Sequence, residues 1–175
     1  LFVTKFLPLP ANSGGKQRSA ALLERLTRLG EVTVAALDDG TADRDALDAI
    51  DVRVLTAPRP GRAAGAVGAA RALSVSAGRF YSRDLRAAIR HTIDEGPPDR
   101  MVVAYAQLAP YAELAPGVPK VLDLHNVESA LFTSYASSRG RVAATAARLE
   151  SRALRRIERR ALQAYDAVSV VSEVD

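Results

Sequence analysis

The sequence predicts an α/β fold, a mostly parallel sheet with helices on both faces. Three observations carry this. Short runs of β-forming apolar residues alternate with longer segments of helical period, the connections between them are short, and the runs Arg100–Ala104 and Val118–Leu124 are apolar enough for strands buried on both sides.

In order along the chain, Leu1–Leu7 reads as a strand, and Pro8–Gly15 is a turn-rich stop. Gln17–Leu29 is a helix because Leu22, Leu23, Leu26 and Leu29 recur at helical spacing, and Gly30 stops it. Glu31–Leu37 is a second strand. The acidic stretch Asp38–Asp48 is a solvated connection with room for a short helix, and Asp51–Leu55 alternates as a third strand. Ala57–Gly65 has no period and reads as a mobile loop leading into helices from about Val67 to Glu95. The two buried strands named above bracket a helix-like turn at Gln107–Leu114. Val127–Ala164 is mostly helix with a break near Ser137–Gly140, and Ala167–Val171 is the last strand. The chain opens on Leu1 and stops just after that strand, so a further domain is expected beyond Asp175.

Composition narrows the class. With 48% hydrophobic and 25% charged residues over 175 positions, the chain has the makeup of one globular domain. It has neither the apolar run of a spanning helix nor the basic start of a signal peptide, which predicts a cytoplasmic protein. The absence of cysteine excludes a disulfide framework and thiolate zinc, and two histidines argue against an imidazole metal site, so no bound metal is expected. Arg139–Arg160 carries eight arginines against Glu150 and Glu158, a local +6 in a chain whose net charge is +4. A basic face of this kind suits an anionic membrane, anionic small molecules or nucleic acid.

On a helical projection, Ala146, Leu149, Ala153, Leu154, Ile157, Ala161 and Tyr165 form an apolar face, with Arg148, Arg152, Arg155, Arg156 and Arg159 opposite. The four-residue row Arg148, Arg152, Arg156, Arg160 is self-repelling, so it is either a solvated face or one that meets an external anion. Membrane phosphates rank above nucleic acid, because no aromatic residues interleave for base stacking. Glu150 falls in the apolar sector and requires a partner from another element or a raised pKa, whereas Glu158 has Arg155 nearby.

Chemistry-bearing residues gather at strand ends. Gly14 and Gly15, followed by Lys16 and Arg18, open the first helix, where free amides and two cations suit a phosphate; the pattern is neither Gly-x-Gly-x-x-Gly nor a P-loop, which disfavours a dehydrogenase. Lys120-Val-Leu-Asp-Leu-His-Asn-Val-Glu128 is an apolar run delivering Asp123, His125, Asn126 and Glu128 to the sheet edge at which open α/β sheets bind ligands. His125 is either a ligand-binding imidazole or a hydrogen-bonded structural one. Asp123 alternates with it, so both point to one side; Asp123 either orients the ring or caps the following turn. His91 reads as surface. Ser172 and Glu173 either cap a following helix or line the same crevice.

The Gly-Gly loop with a basic helix start, Val121-Leu-Asp-Leu-His-Asn-Val-Glu128, and the succession from Leu154 through Tyr165-Asp-Ala-Val168 to Val171-Ser-Glu173 together resemble the N-terminal domain of a retaining glycosyltransferase of the GT-B class, family 4. The resemblance implies a Rossmann-like three-layer α/β/α sandwich, the acceptor-side half of a two-domain enzyme whose nucleotide-sugar-binding domain lies outside residues 1–175. It implies that His125 is catalytic and contacts the transferred sugar, that Gly14, Gly15, Lys16 and Arg18 face the donor phosphate and sugar, and that Asp123, Asn126, Glu128, Ser172 and Glu173 line the cleft or acceptor side. The nucleotide sugar would be a co-substrate rather than a bound cofactor, and no metal is needed. The acceptor would be a sugar, a lipid-linked or a small-molecule hydroxyl, and the basic helix offers a peripheral contact with the inner face of an anionic membrane. A sugar-nucleotide epimerase of related architecture and a stand-alone anion-binding module without catalysis are the competing readings.

Overall fold

The computed structural model describes residues 1–138 and 140–170. Six strands, β1 (Phe2–Phe6), β2 (Thr33–Asp38), β3 (Arg53–Pro58), β4 (Met101–Ala104), β5 (Lys120–Asp123) and β6 (Ala167–Ser169), form one parallel sheet in the order β3-β2-β1-β4-β5-β6. The helices are α1 (Gly14–Thr27), α2 (Arg44–Asp48), α3 (Arg62–Ala72), α4 (Val75–Gly78), α5 (Arg83–Glu95), α6 (Glu128–Ser137) and α7 (Arg141–Ala164), with a 3-10 segment at Ala106–Leu114. This is the α/β/α sandwich that the alternation of elements predicts.

Two-residue periodicity divides the core. Phe2, Val34, Ala36, Val102 and Ala104 pack with Leu23 of α1 and Leu47 of α2 on one face. Val3, Ala35, Val103 and Leu122 pack with Leu85 and Ile89 of α5, the 3-10 segment and Ala161 of α7 on the other. Burying a side chain such as Leu23, 1% exposed, contributes about 1.5–3 kcal/mol. The register of β1 on β2 slips between Thr4 and Phe6, leaving Lys5 as an extra residue. The slip turns Phe6 toward the same layer as Val3 and changes the aim of Lys5 at the strand's end.

Three expectations need correction. The stretch 57–65 is not all loop, because Gly61 is the N-cap of α3 and the alanines beyond it carry the helix; Ala favours a helix even without a period. Gly68 allows α3 to press on α4, since a Cβ there would lie 2.8 Å from the Gly78 carbonyl oxygen. The inward face of α7 keeps Ala153, Leu154, Ala161 and Tyr165 of the projected stripe, but its first half is rotated from the projection and Ala146 is exposed. Ala144, Ser151, Leu154, Glu158 and Ala161 are buried while Leu149 is 59% exposed, because α7 buries itself against α6 as well as the sheet layer. Glu158 therefore does not pair with Arg155. Its carboxylate accepts from Ser129 N (3.1 Å) and Ser129 Oγ (2.6 Å), which ties the first turn of α6 to α7. Glu150 does find its partner on another element: it accepts from Ser74 Oγ and from the amides of Val75 and Ser76 at the start of α4.

Removing a carboxylate that satisfies two buried donors leaves both unmade. Glu158→Ala is expected to lower unfolding free energy by about 1–3 kcal/mol, measured by urea denaturation.

Candidate active site

The strand order reverses between β1 and β4, and in open α/β sheets that reversal opens a crevice at the carboxyl ends of the strands. A cleft of about 420 Å³ lies there, lined among others by Thr4, Lys5, Ser13, Lys16, Asp39 and Tyr105. Ser13 caps α1, its Oγ accepting from Lys16 N at 3.4 Å. The amides of Gly14 and Gly15 open the helix, where no carbonyl of the preceding turn is present to receive them.

Lys5 and Tyr105 line the cleft, and a column of side chains backs them. Lys5 Nζ lies 4.9 Å from the centre of the Phe80 ring and 4.0 Å from that of Tyr105, and it pairs with Glu128 Oε1 at 3.3 Å. Burial pushes the Lys5 ammonium below its ordinary pKa, and Glu128 opposes that shift. Tyr105 in turn stacks on His125, with ring centroids 3.9 Å apart. The backbone of Tyr105 has φ 76° and ψ 136°, a region that glycine tolerates and tyrosine does not, so the residue is strained at the end of β4. Its ring is thereby held over the first turn of α1. A Cβ on Gly15 would collide with the Tyr105 hydroxyl and would lie 3.9 Å from His125 Nδ1.

Asp123 anchors the other side. It ends β5 pointing toward the α1 layer, where Arg18 grips it with two nitrogens, Nε to Oδ2 at 3.0 Å and Nη2 to Oδ1. His125 Nε2 lies 3.0 Å from Asp123 Oδ2. Burial raises the Asp123 carboxyl, but His125 and Arg18 outweigh it and hold the pKa at about 2. His125 itself is 6% exposed; its Nε2 approaches Asp123 in poor alignment, and its Nδ1 has no hydrogen-bond partner among the described residues. A buried imidazole in this state retains hydrogen-bonding capacity for a ligand.

The residues singled out from sequence distribute as follows. Gly15, Arg18, Asp123 and His125 come together at the carboxyl edge, with Gly14 exposed beside them. The two cations expected to await a phosphate are engaged within the protein, Arg18 with Asp123 and Lys16 Nζ with Asp39 Oδ2 (3.1 Å) and Thr41 Oγ1 (2.8 Å). Glu128 faces Lys5, and Asn126 is exposed. Ser172 and Glu173 lie outside the described residues. His91 is on the surface beside Glu95.

Sequence reasoning passed over Lys5, Tyr105 and Asp39. A lysine inside an apolar strand was a readable signal for the first. The positive φ of Tyr105 left no trace in residue type, because a glycine would ordinarily mark it.

Two outcomes follow from this geometry. Gly15→Ala is expected to cost about 1–3 kcal/mol of stability, and Gly15→Ala with Tyr105→Phe to recover most of it, since the ring carbon bearing the hydroxyl is a tolerable 3.5 Å from the new methyl; urea denaturation of the four variants of the cycle checks this. The Asp123 carboxyl is depressed from 3.8 to about 2, so its stabilising share is present above the ordinary value and is lost as pH falls between the two. Asp123→Asn is expected to flatten the fall of the denaturation midpoint across that window.

Among curated proteins none matches this chain. The glycosyl transferase 4-like domain family matches residues 13–175, a span that includes α1, the Asp123–His125 strand end and α7. With a match that covers most of the chain and takes in α1, five of the six strands and the buried His125, the chain belongs to the glycosyl transferase 4-like domain family.

Proposed function

We propose that this domain forms the acceptor side of an enzyme that moves a sugar from a nucleotide-sugar donor to an acceptor hydroxyl with retention at the anomeric carbon. The observation that carries the reading is His125, buried at the strand edge beside Asp123 with its Nδ1 free of any partner among the described residues. In this reading His125 holds a hydroxyl of the transferred sugar, with Asp123 as the electrostatic neighbour that positions the ring. The Gly14 and Gly15 amides supply positive potential for the leaving phosphate. The bond between anomeric carbon and phosphate oxygen breaks, the acceptor oxygen bonds to the same face of that carbon, and the acceptor proton leaves with the departing phosphate. A second, nucleotide-binding domain completes the cleft. The outward arginines of α7 bring the protein to the inner face of an anionic membrane.

The test uses the protein at its natural length with a panel of nucleotide sugars and acceptors, following product by NMR. A glycoside whose anomeric configuration matches the donor, with turnover reduced about 100-fold or more by His125→Ala, is the expected result. A free sugar as product would point to epimerase chemistry, and wild-type turnover in His125→Ala would overturn the role of the imidazole.

A further inference from the structure

We propose that the groove between α3, the 3-10 segment and α7 is a second binding site, for an anionic amphiphile: a phosphate- or carboxylate-bearing head joined to a hydrocarbon portion. The groove holds about 790 Å³ and shares no lining residue with the cleft at the switch point. It reaches Lys120 at the start of β5 and Tyr165 just past α7, at the amino ends of the strands, whereas His125 follows their carboxyl ends. It is therefore separate from the site of sugar transfer and does not depend on that assignment.

Charge selects the head group. Arg71, Arg86, Lys120, Arg156 and Arg160 line the groove against one acid, Glu113, and none of the five makes an ion pair among the described residues. Three are braced as donors in its wall: Arg71 Nη1 donates to the Tyr81 hydroxyl at 2.7 Å, Arg86 Nη1 to the Pro110 carbonyl at 3.4 Å and Lys120 Nζ to the Val118 carbonyl at 2.8 Å, each keeping further N–H groups for a ligand. Arg156 and Arg160 stand exposed one turn apart, an arrangement that repels in the absence of an anion and chelates one when it is present.

The apolar portion is selected by what lies between the cations. Ala109, Ile157, Ala161 and Leu73 line the groove. Leu73 is the C-cap of α3, in the left-handed region at φ 52°, where glycine is favoured and a leucine costs about 1–2 kcal/mol. It is nevertheless 69% exposed, and Val75 beside it is 59% exposed. Neither folding nor local conformation accounts for a large apolar side chain held there, whereas a hydrocarbon laid along the groove would cover it.

The experiment titrates the protein with dodecyl phosphate below its micellar concentration by calorimetry, beside inorganic phosphate. Dodecyl phosphate is expected to bind, with inorganic phosphate at least about tenfold weaker because it lacks the chain. Arg156→Glu with Arg160→Glu is expected to weaken binding about tenfold or more, while Arg148→Glu with Arg155→Glu, the same charge change outside the groove, stays within about twofold. These are surface positions, and far-UV circular dichroism confirms that both variants fold. Co-sedimentation with phosphatidylglycerol and phosphatidylcholine vesicles distinguishes the source: pelleting with the anionic vesicles alone, lost only in the groove variant, assigns a lipid, and dodecyl phosphate binding without pelleting assigns a free amphiphile. No binding of dodecyl phosphate, equal binding of inorganic phosphate, or equal loss in the two double variants would overturn the site.

Discussion

The grip of Arg18 on Asp123 is the contact on which the site depends. One charged pair joins the first turns of α1, the helix that follows β1, to the end of β5, more than a hundred residues away in sequence and beyond β4 in the sheet. A carboxylate this buried needs a partner, and a two-nitrogen fork satisfies it with fixed geometry. The imidazole two residues on sits between that carboxylate and the Tyr105 ring. Moving α1 by a single turn would break the pair, expose Tyr105 and leave Gly15 with no reason to be glycine.

The parts of this arrangement that alternation governs were legible in the sequence. Asp123 and His125 share a side because strands alternate, and they reach the ligand edge because open parallel sheets present their carboxyl ends. The sheet itself followed from apolar runs and short connections, and of the two outcomes open to Glu150, a partner on another element or a raised pKa, the structure shows the partner. What stayed hidden is what depends on a local departure from regularity. The extra residue at Lys5 reverses the alternation of β1 where it matters, and no residue type marks it. Tyr105 occupies a backbone region that its side chain resists. The turn of α7 by which Glu158 faces inward depends on α6, whose packing partner no projection of α7 alone contains. Ala57–Gly65 failed for the opposite reason: an alanine-rich segment folds on propensity without showing a stripe.

The helix α7 joins two regions with different demands. Its inner side holds α6 and α4 through Glu158 and Glu150, both acting as helix-start caps rather than as ion-pair partners. This frees its arginines from structural pairing. A helix whose acids are consumed by neighbouring backbone donors presents a one-sign surface, and the seven exposed arginines of α7 therefore make a surface field and not a buried network.

Lys16 carries a further consequence. Its ammonium is matched by Asp39 and Thr41. Burial raises the Asp39 carboxyl, but hydrogen bonds from Thr41 and Lys16 outweigh it and hold the group below its ordinary pKa. An anion approaching the start of α1 would thus meet a neutral couple and could bind Lys16 only by exchange: each new bond to the lysine would be set against the release of a carboxylate that then needs water or another cation. Such a site discriminates by how much better the newcomer bonds than the resident, so weakly basic anions such as chloride gain little from it while a doubly charged phosphate gains more.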